Sequence, residues 1–211
     1  MVKDTGVSER AGIPVSARET ILDAAEELIL SLPNGKLRLV DIASALGMSH
    51  ANIYRHFKNR DDVLGAMVER WLSDGEARAQ RAIAASHSAG EGLKAMLLAL
   101  HTDTKRKIAS APGVIDIYVH AMERKADAVE AHRQFLIHHA IELLQAGMAA
   151  DEFAIRPEQV PKILTVLEHG VRKFTHPYMI AETLEENTAA QAEAVLDALI
   201  GALRLAPEVY R

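Results

Sequence analysis

Apolar residues recur at three- and four-residue intervals along most of this chain, and strict alternation never persists across four residues, so the pattern predicts helices and no sheet. Residues 1–15 carry no periodicity and read as a mobile arm. Ser16 with Glu19 three positions later has the spacing of a capping box, and Ile21, Leu22, Ala25, Leu28 and Ile29 follow at helical intervals. The stretch LPNG at 32–35 ends that helix. A short helix over 39–46, LVDIASAL, should stop at Gly47, and Ser49 should cap another over roughly 50–56. Helix, glycine turn, capped helix is the plan of a helix-turn-helix, with Ile42, Ala43, Leu46, Met48 and Ile53 as its internal contacts.

A longer helix opens at Asp61 and Asp62, whose charges suit its positive end, and Val63, Leu64, Met67, Val68 and Trp71 form its buried stripe. Helical spacing continues over roughly 91–109, 113–123, 125–148, 157–178 and 184–205, with breaks at SAGEG, APG, AADEF and HP. The expected fold is all-α. It divides into an arm (1–15), a helix-turn-helix domain (16–60) and a helical body (61–211).

Composition narrows this picture. The 211 residues are 49% apolar and 25% charged, enough for a sizeable core, and no apolar run reaches membrane-spanning length. The first sixteen residues lack the apolar segment of a signal peptide, and the absence of cysteine excludes disulfides and thiolate metal sites; both fit a cytoplasmic protein. Net charge is −5, which argues against a nucleic-acid partner until its distribution is seen. Five basic residues (Lys36, Arg38, Arg55, Lys58, Arg60) face one acid, Asp41, between 36 and 60, whereas residues 61–211 hold 16 basic and 22 acidic side chains. A positive head on an acidic body suits duplex DNA.

The segment RLVDIASALGMSHANIYRHFKNRDDVLGAMV resembles the DNA-binding domain of the TetR family of bacterial transcriptional regulators. The likeness rests on the Ile42–Ala43 pair, the Gly-Met-Ser turn at 47–49, Tyr54 with Phe57, and Arg60 ahead of the next helix; it covers about 16–72. It implies a homodimeric, ligand-responsive repressor that binds a palindromic double-stranded operator and is released by a small, largely apolar effector. In the reading helix, His50, Ala51 and Asn52 occupy the turn that enters the major groove, where Asn52 pairs with adenine and Ala51 meets a thymine methyl. Tyr54 is expected to reach a phosphate, and Phe57 to lie in the core. Arg55, His56, Lys58 and Arg60 should clamp the flanking backbone, with Arg18 approaching from the first helix. Arg38 stands where the family usually has a capping threonine, so that cap is lost or Arg38 adds a phosphate contact. The first helix also ends LIL where the family prefers phenylalanine.

The body holds the other eight histidines, yet none follows a glutamate by three positions and HExxH is absent, so the expectation is no metal and no cofactor. The resemblance implies a pocket among the middle helices, lined by Met96, Leu100, His101, Thr104, Tyr118, Met122, His132, Leu136 and His139. Two broad stripes, Val160, Ile163, Leu164, Leu167, Val171 and Phe174, and Val195, Leu196, Leu199, Ile200 and Leu203, suggest a dimer interface of four helices. The competing reading is an all-α enzyme or metal-binding protein with an incidental helix-turn-helix. No nucleophile–base arrangement or phosphate loop supports it, and no catalytic residue is assigned.

Overall fold

The computed structural model of the chain describes residues 16–31, 37–110, 115, 119 and 122–205. The arm, the LPNG and APG breaks, most of the helix expected over 113–123 and Tyr118 lie outside the described residues. Every regular element among those described is helical: α1 (Ala17–Ser31), α2 (Leu39–Leu46), α3 (His50–His56), α4 (Arg60–Ala84), α5 (Ala89–Ser110), α6 (Ala126–Ala149), a 3-10 turn (Pro157–Gln159), α7 (Val160–Thr175), α8 (Pro177–Glu182) and α9 (Thr188–Leu205). No helix there is long and apolar enough to cross a membrane.

Two cores form. The head core gathers Ile21, Leu22, Ala25 and Ile29 of α1, Leu39, Ile42 and Ala43 of α2, Ile53 of α3, Phe57, and Val63, Leu64, Met67, Val68 and Trp71 of α4. Burial of such side chains is worth about 1.5–3 kcal/mol each, which is what holds helices as short as α2 and α3 in place. Around the core's rim, Arg70 of α4 meets three carboxylates of α1: Glu19 at 3.3 Å, Asp23 at 2.7 Å and Glu26 at 2.9 Å. The Trp71 indole N–H donates to Glu26 beside them. The body core is centred on α5, which packs against α4, α6, α7, α8 and α9. Its buried residues include Leu93, Met96, Leu100, Leu144, Ile163, Leu167, Leu196 and Ile200.

Several boundaries differ from the sequence expectation for identifiable reasons. α5 runs through Gly90 and Gly92 instead of breaking at SAGEG, because these glycines are packing sites. A Cβ at Gly92 would lie 2.6 Å from Leu143 Cδ2, and one at Gly90 would lie 2.8 Å from a Glu152 oxygen. The helix expected over 157–178 begins as a 3-10 turn and stops at Thr175. His176 turns extended (φ −83°, ψ 122°), as a residue before proline tends to, and Pro177 opens α8. α9 starts at Thr188, with the Asn187 side chain accepting from the Ala190 amide at 3.4 Å.

Glu152, in the turn after α6, joins three elements. It accepts from the Ala89 amide (2.8 Å) and Gly90 amide (3.2 Å) at the start of α5, from Ser88 Oγ (3.1 Å), and from Arg204 near the end of α9 (2.7 Å). Partial burial works against its charge, but the hydrogen bonds from Arg204, Ser88, Gly90 and Ala89 hold its carboxyl below the usual range. A depressed folded-state pKa contributes stability above the unfolded value, about 4.3, and that contribution fades as pH falls through the folded value. Glu152→Gln should therefore lower stability by about 1–3 kcal/mol at neutral pH. Urea melts should show the gap between variant and wild type narrowing below about pH 4.3. A gap that is constant with pH would show that the ionised form is not what matters.

Candidate nucleic-acid interface

The geometry between α2 and α3 is set by backbone chemistry. Gly47 has φ 60° and ψ 25°, the left-handed conformation that ends α2. Its amide donates to Ser44 O at 3.3 Å, and the Met48 amide to Ala43 O at 2.9 Å, closing a Schellman turn. Ser49 Oγ then accepts from the Asn52 amide at 3.3 Å and starts α3. At its far end Ile53 and Phe57 are fully enclosed by the head core, so α3 is fastened along one side. The Arg18 guanidinium lies 5.0 Å from the Phe57 ring centre and covers it from α1.

The opposite side of α3 is open. His50, Ala51, Tyr54, Arg55, His56 and Lys58 are exposed, as are Arg18 and Arg38, while Asn52 and Arg60 are partly so. Tyr54 shows 53% of its surface to solvent against 3% for Phe57, so the two aromatics divide between outward and inward roles. Arg38 makes no side-chain cap for α2. Its guanidinium instead grips Asp41 through two bonds of 2.9 and 2.7 Å, which hold that carboxyl below its usual range.

One residue here escaped the sequence reading. Asn59 caps α4 by accepting from the Asp62 amide at 2.9 Å, and the Asp62 carboxylate accepts from the Lys58 amide at 3.0 Å. The signal was present as Asn followed three positions later by Asp, a variant of the capping box. These two bonds join the residues that lead out of α3 to the first turn of α4.

The residues expected to line a ligand pocket scatter. Leu100, Thr104 and His132 do line one cavity, of about 30 Å³, with Trp71, Gly75, Asp103, Lys107 and Pro177 among its walls. Met96 and His101 are enclosed in the body core and lie outside the walls of that cavity. Both His101 ring nitrogens are engaged, by Phe174 O at 2.9 Å and Thr188 Oγ1 at 3.0 Å, and burial pushes its pKa below the usual histidine value. Met122, Leu136 and His139 are half-buried away from the cavity walls. His132 Nδ1 faces Glu76 Oε1 at 2.8 Å. His138, His139 and Glu142 present ligand atoms within 4.8 Å of one another, the one set among the described residues with metal-like spacing.

The two stripes assigned to a dimer interface divide between buried and partly exposed positions. Ile163, Leu167, Val171, Phe174, Leu196, Ile200 and Leu203 are buried inside the protomer, because α7 and α9 turn their strongest apolar faces onto α5 and onto each other. Val160, Leu164, Val195 and Leu199 remain partly exposed.

Comparisons with known proteins converge on this architecture. Residues 21–67 match the family profile described as bacterial regulatory proteins, tetR family, and residues 89–196 match that of the tetracyclin repressor-like C-terminal domain. The nucleoid occlusion factor SlmA of Marinobacter nauticus is 35% identical over 54 residues; the match covers 26% of this chain and only 28% of that protein. Among solved structures, the fatty acid degradation regulator FadR from Bacillus halodurans superposes with a TM-score of 0.62 at 18% identity, over 92% of this chain and 99% of that one. The regulator FadR from Bacillus subtilis, in complex with stearoyl-CoA, gives 0.61 at 17% identity, over 86% and 97%.

The turn chemistry is testable by itself. A Cβ at Gly47 would meet nothing within 4 Å, so Gly47→Ala isolates the cost of positive φ. Thermal melting should show a loss of about 1–2 kcal/mol, and Gly47→Asn should recover part of it. An unchanged Gly47→Ala melt would mean that the turn relaxes without the left-handed residue.

Proposed function

The chain belongs to the tetR family of bacterial regulatory proteins and is a DNA-binding transcriptional regulator; from that premise we propose a homodimeric repressor that holds a palindromic operator until a small effector releases it. The observation that carries the DNA reading is α3 itself: capped, anchored by Ile53 and Phe57, and exposing a polar and basic edge. In this reading His50, Ala51 and Asn52 meet base edges. Tyr54, Arg55, His56, Lys58, Arg60 and Arg18 hold phosphates, and Arg38 joins them by way of its pair with Asp41.

The dimer places two copies of α3 in successive major grooves, about 34–36 Å apart. The partly exposed Val160, Leu164, Val195 and Leu199 supply its apolar contacts, with the rest of the stripes supporting them from within. The small cavity between α4, α5, α6 and α8 is the seed of the effector pocket. At about 30 Å³ it has room for one water, so an effector must part the helices to enter. That requirement is what makes binding informative: a ligand shifts the protein only by preferring one conformation. The Bacillus subtilis regulator, solved in complex with stearoyl-CoA, is a precedent in this fold for a ligand that joins a long acyl chain to a charged head.

α4 carries the signal in this reading. Three ion pairs tie it to the start of α6: Arg124 with Asp61, Lys125 with Glu69 at 2.8 Å, and His132 with Glu76 at 2.8 Å. They fall about two turns apart along α4, from the wall of the cavity to the helix end beside α3. Typical coupling of about 1–3 kcal/mol would lower operator affinity about 5- to 150-fold, and operator would weaken effector binding by the same factor.

Two substitutions test the head with duplexes selected from genomic fragments. Asn52→Ala should relax preference at one base pair of each half-site, costing about 1–3 kcal/mol there. Lys58→Ala should weaken every duplex alike and reduce the salt slope by about one contact. If neither preference nor salt slope moves, α3 is not the reading helix.

A further inference from the structure

Asp103, on α5, is the most heavily engaged buried charge in the body. Its carboxylate is 5% exposed and meets three cations: Arg78 at 2.8 Å and Arg106 at 2.9 Å on one oxygen, Lys107 at 2.7 Å on the other. Burial opposes its charge, but hydrogen bonds from Lys107 and Arg106 hold its pKa below the usual range. Lys107 also donates to Trp71 O at 3.0 Å and sits 6.0 Å from the Trp71 ring centre. Burial lowers its pKa, and Asp74 is the other acid acting on it. Lys107 is largely enclosed, whereas the Arg78 and Arg106 side chains are 39% and 60% exposed, so both guanidiniums reach solvent while they hold Asp103.

Asp103 also stands between two spaces. On one side is the small cavity with Lys107, Thr104 and Trp71 in its wall; on the other is an open groove of about 350 Å³ between Arg78, Arg106, Leu98, Ala99 and Thr102. The groove is open to solvent, with two guanidiniums at one edge and aliphatic surface along another. Guanidiniums recognise carboxylates and phosphates by paired hydrogen bonds, and the ion pairs with Asp103 hold these two in place beforehand.

We propose that Arg78, Arg106 and Lys107, arranged by Asp103, form the recognition site for the anionic head of an amphipathic effector. Its head bridges the two arginines in the groove and competes with Asp103 for them. As the Asp103 pairs loosen, Lys107 and Trp71 are released, and the cavity behind them can open to the apolar tail. This rests on the effector reading above and adds the ligand's chemical class to it.

Trp71 is the chain's single tryptophan and lines the cavity behind Asp103, so its emission reports on the opening that anion binding in the groove should cause. Decanoate and decyl phosphate serve as anionic probes of the full-length dimer or protomer, with decanol as the neutral match. At least one anion should change Trp71 emission saturably and bind ten-fold or more tightly than decanol; which one does so separates a carboxylate head from a phosphate head. Arg106→Gln, at an exposed position, should weaken that anion about ten-fold and leave decanol unaffected, and Arg78→Gln with Arg106→Gln should weaken it further. If decanol binds as tightly as both anions, or the anion's affinity survives in Arg106→Gln, the proposal is overturned. The two readings fail separately. Anion binding without any change in operator affinity would sustain this site and remove the effector role. Release of operator by decanol but by neither anion would sustain the effector role and overturn this site.

Discussion

One unbroken helix belongs to both cores, and the rest of the molecule depends on it. The first half of α4 gives Val63, Leu64, Met67, Val68 and Trp71 to the head, and the second half gives Ala79 to the body with Ile83 packed beside it. Over 25 residues no proline interrupts it, and its one internal glycine near the junction, Gly75, fits closely against Leu100 and Asp103. A helix packed at both ends transmits displacement because close-packed interfaces shift between arrangements and do not deform smoothly. The position of α3 is therefore tied to whatever holds the middle of α4.

At the head end that tie is local and short. Gly47 ends α2, Ser49 starts α3, and Asn59 starts α4, so three caps within thirteen residues define two helix junctions. The apolar half of α3 is spent on anchorage, and its outward half is left to polar and basic groups. At the body end the tie is made of charge. Asp103 of α5 binds Arg78 and His132 of α6 binds Glu76, while Arg124 and Lys125, just before α6, reach back to Asp61 and Glu69 in the head half of α4. A head fixed by caps and a body fixed by ion pairs respond to different ligands. In the proposed reading, duplex phosphates act on the first and a charged small molecule acts on the second.

The head was almost wholly legible in the sequence because its determinants are near neighbours. The Gly47 turn and the Ser49 cap depend on residues within about five positions, and both belong to the segment that carries the family resemblance. The body was legible as helices but not as surfaces. The apolar face of α7 is broad because it meets α5 and α9 inside the protomer, and breadth alone does not say whether a partner lies within the chain or outside it. His101 had the spacing of a pocket residue, but its partners Phe174 and Thr188 lie 73 and 87 positions away. Asp103 gave no sequence signal of burial, because one of its three cations, Arg78, comes from another helix. Gly90 and Gly92 looked like helix breakers and are contact points. Each of these depends on tertiary neighbours that periodicity does not name.

The central claim is that α3 and its flanks meet DNA while the body responds through α4. Hydrogen exchange of the full chain, with and without a duplex recovered from genomic fragments, tests it most directly. The account predicts slowed exchange concentrated over 49–60 and at the start of α1, with a weaker effect along the first half of α4 and little change on the outer turns of α9. Protection confined to α7 and α9, with 49–60 unchanged, would contradict it.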